Sequence, residues 1–227
     1  MGLLKVLFTK GDIMKTRLVL LLALIVAVSA YAYAGRGKQD PPPTPVLTEE
    51  VAEHLLFLRE EEKLARDVYL YFFDAYQVPV FKNIAGSEQN HMDAVKRLLD
   101  TYGLDDPAAG LDEGEFIDPL LAELYDDLVS DGDCCVEAAM LVGGFIEEYD
   151  ILDIMDILAI EGLPSDVKNV CENLLKGSHN HLRAFVGQWE DRTGTPYVPV
   201  LMIEELYPLY ESIIEGSTAT GGGRRGR

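Results

Sequence analysis

The sequence predicts an all-α fold: two helical hairpins bundled together, one long crossover between the second and third helices, and an additional helical segment at the C-terminal end. Three observations predict it. Apolar residues recur at three- and four-residue spacing through four long stretches, cap and stop residues punctuate those stretches, and no segment with the two-residue period of a strand competes with them.

The first helix opens at Thr48-Glu49-Glu50-Val51. Thr48 is placed to cap it, and the two glutamates suit the positive end of its dipole. It is expected to run to about Ala75. A turn around Gln77 and Pro79 leads to the second helix, residues 80–102, which Gly103 stops. Residues 103–132 form the crossover, with Pro107, Gly110 and Gly114 followed by a short amphipathic helix through Leu120, Leu121, Leu124, Tyr125 and Leu128. The third helix is read over residues 135–160, and a turn at 162–165 leads to the fourth over 166–189. Residues 197–214 are apolar but carry Pro199 and Pro208, which predicts a broken helix packed on the bundle.

The bundle domain therefore occupies residues 48–190, with a packing segment over 191–215. Before it, Lys15 and Arg17 precede the apolar run 18–28, which ends at the small-residue site Ala32-Tyr33-Ala34. That pattern predicts an export signal over residues 1–34, cleaved before Gly35, with residues 1–13 preceding an alternative start at Met14. A retained membrane anchor is the alternative, and removal of the signal leaves no membrane segment. Residues 35–47 read as a Pro-rich linker, and residues 216–227 as a Gly/Arg tail too polar to pack.

Charge narrows the partners. The chain carries −20, and residues 1–34 hold a surplus of three positive charges, so the exported remainder carries −23. Such a surface repels nucleic acid and anionic lipid, so neither is expected as a partner. Cys134, Cys135 and Cys171 lack the Cys-x-x-Cys spacing of a metal knuckle, and for an exported chain a disulfide to Cys171 with one thiol left over stays open.

Function is carried by polar residues on apolar seams. The first helix reads Val51, Leu55, Leu58, Glu62, Ala65, Tyr69 and Phe72, so a carboxylate stands where an apolar side chain is due. Glu61 lies on the adjoining seam with Phe57, Leu64 and Val68. A lone ionised carboxylate is costly in a core and must be paired, protonated or metal-bound. The second helix aligns Ile84, Glu88, His91, Val95 and Leu98, a Glu-x-x-His pair one turn apart. The third aligns Met140, Gly143, Glu147, Asp150, Ile154 and Ile157, and the fourth Val167, Leu174, Ser178, His181 and Phe185. Four helices thus offer Glu62, Glu88, His91, Glu147, Asp150 and His181 as metal ligands, the donor set of a dinuclear iron or manganese carboxylate site. His54 and His179 read as surface or boundary residues, although a rotated fourth helix exchanges His179 for His181.

Glu62-x-x-Ala65-Arg66-x-x-Tyr69, Glu88-x-x-His91 and Glu147-x-x-Asp150 resemble the helix patterns of the ferritin-like superfamily, in particular rubrerythrin and bacterioferritin. Residues 60–69, 87–92 and 177–182 more closely resemble an uncharacterised prokaryotic ferritin-like family, domain of unknown function two-two-zero-two. The resemblance covers about residues 48–190 and implies a ferritin-like four-helix bundle with a di-iron carboxylate centre. Its departure is Ser178, where a second Glu-x-x-His would place glutamate. Asp150 then replaces the missing charge, or the site holds one ion, or two with water filling the gap.

The expected function is an exported metal-binding protein with oxidoreductase activity, ferroxidase or peroxidase-like, or metal handling. The alternative is a metal-free interaction module built on the same bundle. No paired Cys-x-x-Cys motifs supply a rubredoxin-like partner domain, so any reductant comes from elsewhere. Monomer, homodimer and shell all stay open as assemblies.

Overall fold

The computed structural model describes residues 46–216. The expected signal over 1–34, most of the linker and the tail from 217 onward lie outside the described residues. Within them the chain is all-helical: α1 Glu49–Tyr76, α2 Pro79–Tyr102, α3 Pro119–Gly132, α4 Val136–Leu158, α5 Ser165–Thr193, a 3-10 turn Glu204–Leu206, and α6 Tyr207–Glu215. No helix among the described residues is long and apolar enough to cross a membrane.

The helix ends follow local chemistry. Thr48 Oγ accepts from the Val51 N–H at 3.3 Å, satisfying one orphan donor of α1. Gln77 ends α1 in the left-handed region at φ 55°, and Gly103 ends α2 at φ 68°, where a glycine pays no Cβ penalty. The fourth long helix extends past the expected stop at Trp189 to Thr193, because Gly194 at φ 65° is the residue able to turn the chain.

The helices pack as α1 on α2, α4 on α5, α1 on α4 and α2 on α5, with α3 lying against α1 and α4. Two hairpins thereby close one helical bundle around a common interior. One end of it is aliphatic, where Leu55 and Leu58, Val95 and Leu99, Ile154 and Ile157, and Cys171 and Leu174 meet from all four long helices. Toward the other end lies an aromatic layer: Tyr69 and Phe81 each stack near Phe185, with centroids 5.1 and 5.8 Å away, and Phe72 lies 5.5 Å from Phe81. Gly143 makes room for that layer, since a Cβ there would lie 2.5 Å from the Phe185 ring.

The crossover is fixed to α1 by charged side chains. Arg59 donates two bonds to Asp106, Glu60 accepts the N–H groups of Ile117 and Asp118, and Lys63 donates to Asp67 and to the Asp112 carbonyl. The C-terminal segment is held by one carboxylate, Glu148, which accepts from the N–H groups of Val200, Leu201 and Met202 and from the Tyr197 hydroxyl. Tyr197, Met202, Tyr210 and Ile213 then cover Ile151, Leu182 and Val186.

The open pairing to Cys171 is not formed. All three cysteines are free. Cys171 packs with Ile154 and Ile157 in the aliphatic end, whereas Cys134 and Cys135 are exposed before the first turn of α4. At 1.5 Å of rise per residue, Ile154 is about 30 Å along the helix from Cys135.

Candidate metal centre

Between the aliphatic and aromatic layers the seams of α1, α2, α4 and α5 become polar. Glu62, Glu88, Glu147 and Asp150 are all buried, and His91 and His181 nearly so. Glu88 is central. Its Oε2 lies 2.7 Å from His91 Nδ1, and its Oε1 lies 2.7 Å from His181 Nδ1. Glu62 Oε2 approaches His91 Nδ1 at 3.2 Å, and Glu147 Oε2 approaches His181 Nδ1 at 3.4 Å.

Two compact groups of ligand atoms result, Glu62–Glu88–His91 and Glu88–Glu147–His181, sharing one carboxylate. His181 Nδ1 and Glu88 Oε1 form a close ion pair at 2.7 Å, and Glu62 Oε1 and Asp150 Oδ1 have no hydrogen-bond partner. Buried polar atoms are ordinarily satisfied. Unsatisfied oxygens beside converging ligand atoms fit a cation, and carboxylate with imidazole suits iron or manganese.

Electrostatics point the same way. Burial would lower both imidazole pKa values, but Glu62 and Glu88 push His91 far up, and Glu147 and Glu88 do the same to His181. Glu62 and Glu147 are raised, chiefly by burial. The surrounding carboxylates thus hold both histidines protonated, in groups that could hold a metal ion. Arg66 brings no positive charge here: it pairs with Asp67 and Gln89 at the edge of α1.

Asp150 stands one step back from the two groups. Its Oδ2 accepts from Ser178 Oγ, and burial followed by the charges of Glu62, Glu147 and Glu88 raises its pKa strongly. The serine standing where a second Glu-x-x-His would carry glutamate thus orients an acid from α4. Tyr69 donates to Glu147 Oε1 at 2.6 Å. His54 and His179 belong to neither group.

Sequence reasoning passed over two supports. Ser87 Oγ lies 2.9 Å from His181 Nε2 and directs Nδ1 toward the carboxylates; its position one residue off the Glu88 seam gave no signal. Gly177 faces His91, and a Cβ there would lie 2.5 Å from its Nε2. A glycine inside a helix with no stop to make was the available clue. Gly177→Ala is expected to misdirect His91 and weaken metal affinity about ten- to a hundredfold, the range for changes that misorient a ligand. Isothermal titration checks it, and unchanged affinity would refute the role.

Glu61, on the adjoining seam of α1, is buried at 2 % exposure, and its carboxyl faces that of Asp153. Burial, then Asp153, Asp150 and Glu62, raise its pKa well above the ordinary carboxylate range. Below the unfolded pKa of about 4.3 both states hold the proton and the group is neutral to stability. As pH rises above that value the unfolded chain releases it first, and the fold loses stability. Glu61→Met, similar in size, is expected to stabilise the metal-free protein by about 1–3 kcal/mol at pH 8 and by less at pH 5. Urea unfolding at both pH values reads the difference, and a variant weaker at pH 8 contradicts it.

A model of the family described as "Uncharacterized protein domain (DUF2202)" matches residues 51–216. "Uncharacterized protein MJ0754" of Methanocaldococcus jannaschii is 45% identical over 179 residues, which span 79% of this chain and 94% of that protein. The crystal structure titled hypothetical protein MJ0754, from Methanococcus jannaschii, superposes with a TM-score of 0.70 at 44% identity, covering 78% of this chain and 98% of that one.

Proposed function

The chain belongs to the DUF2202 family, and from that membership and the buried ligand set we propose an exported, ferritin-like protein that binds two iron or manganese ions and uses them in ferroxidase or peroxidase-like oxidation. The bundle of two hairpins joined by a long connection supports the ferritin-like reading. The observation that carries the metal reading is Glu88, whose two oxygens each face a different imidazole while a further glutamate completes each group.

The ions supply one-electron chemistry toward oxygen or peroxide when bound. The chain's residues do the rest. Glu62, Glu88 and His91 would hold one ion and Glu88, Glu147 and His181 the other, while Ser87 and Tyr69 fix the orientation of His181 and Glu147. Metal binding requires both histidines to release protons held up by the glutamates, so affinity is expected to rise with pH. The aliphatic and aromatic layers keep bulk water from the site. Export rests on the N-terminal sequence pattern alone.

The test is anaerobic loading of the purified protein with Fe(II), removal of loose ions, and metal analysis, followed by oxygen or peroxide consumption. Two ions per chain with oxidation faster than free Fe(II) support the reading. Tight metal without turnover reduces it to metal handling. No tight metal leaves a metal-free bundle balanced by its two imidazoliums.

A further inference from the structure

Cys134 and Cys135 are adjacent, exposed and free, with their Sγ atoms 3.3 Å apart. Cys135 is the N-cap of α4, yet its side chain makes no capping bond, so neither thiol has a structural duty at the helix end. The third cysteine is no partner for them, being fully buried in the aliphatic end of the bundle. Nor does the pair belong to the metal centre, since Glu147 lies about 18 Å further along α4 at 1.5 Å per residue. What remains is the chemistry of two neighbouring sulfurs in contact with solvent.

We propose that Cys134 and Cys135 form a labile two-electron thiol–disulfide site that exchanges with small-molecule disulfides. One cysteine thiolate attacks a sulfur of the small disulfide and expels one thiolate, giving a mixed disulfide. The adjacent thiol, after losing its proton to solvent, attacks the chain's own sulfur and expels the second thiolate. The chain loses two hydrogens and the small disulfide is reduced to two thiols. The bond between neighbours is a strained one. Consecutive Cα atoms are about 3.8 Å apart, below the usual disulfide span of about 4.4–6.8 Å, and departures of that kind make a disulfide easier to reduce. Strained and exposed disulfides are the labile ones, whereas structural bridges resist the thiol pool. The hydrogen bond with the Cys135 thiol, more than the Asp133 carboxylate, raises the pKa of Cys134, which lowers its share of attacking thiolate.

The experiment treats the reduced, full-length protein with oxidised glutathione, quenches with an alkylating agent under denaturing conditions, and counts labelled thiols by mass spectrometry. The expected result is a monomer that has lost two hydrogens and two of its three alkylatable thiols, with both missing labels on the peptide spanning 134–135. An excess of reduced glutathione should restore all three. Cys134→Ser and Cys135→Ser should each stop at one bound glutathione, since each lacks the resolving thiol. A native chain that stops at bound glutathione, forms a disulfide-linked dimer, or closes a bond that reduced glutathione leaves intact would overturn the proposal.

Discussion

Glu88→Ala is expected to bring tight metal binding from two ions per chain to none, whereas Glu62→Ala and Glu147→Ala should each lose one. The asymmetry follows from geometry: both ligand groups contain Glu88, while Glu62 belongs only to the His91 group and Glu147 only to the His181 group. The fold should survive, because Glu88 pairs with no arginine or lysine and its neighbours are the two imidazoles. Loss of its carboxylate removes an oxygen 2.7 Å from each imidazole, and with it part of the negative charge that raises both histidine pKa values alongside Glu62 and Glu147. Metal analysis after desalting, alongside circular dichroism, separates the three variants. Equal losses in all three would mean the centres are not two groups sharing a carboxylate, and full retention in Glu88→Ala would sink the site.

Lys63→Met is expected to lower the melting temperature by about 6–12 °C without changing metal stoichiometry. Lys63 is 1 % exposed and its partner Asp67 is fully buried. Its ammonium donates to Asp67 and to the Asp112 carbonyl, and lies 4.6 Å above the Phe116 ring. Removing one member of a buried pair leaves the other charge uncompensated, at a cost of about 3–5 kcal/mol. Arg66 and the Gly114 N–H still reach Asp67, which places the loss near about 3 kcal/mol, or about 2–4 °C per kcal/mol in a domain of this size. Calorimetry of the metal-free protein reads the shift. The crossover should also become the first site of proteolysis, because its hold on α1 is what the substitution loosens. A melting temperature within about 2 °C of the native value would show that the pair contributes nothing net.

The helices were legible because their signals are local. Thr48 and Gly103 mark ends through capping and backbone preference, which need no knowledge of the rest of the chain. The ligand candidates were legible for a related reason: Glu62, Glu88, His91, Glu147, Asp150 and His181 each interrupt an apolar seam at helical spacing, and an acid on a seam is conspicuous. The role of the α1 acids was harder to read. Glu60, Glu61 and Glu62 are consecutive and all buried, yet they turn to three different surroundings, the crossover, Asp153 and the metal-ligand group. A helical wheel places them about 100° apart but does not say what lies in each direction.

By itself, then, the sequence determined the helix pattern, the seams and the residue types that reach the interior, since these depend on 3.6-residue periodicity and on the penalty for burying charge. Tertiary structure decided which oxygen faces which imidazole. It made Glu88 common to both groups, set Asp150 on Ser178, brought Gly177 against His91, and kept Cys171 at the far end from Cys134 and Cys135. Each of these is a distance between elements far apart in the chain, fixed by how the hairpins pack, and no local rule of spacing contains it.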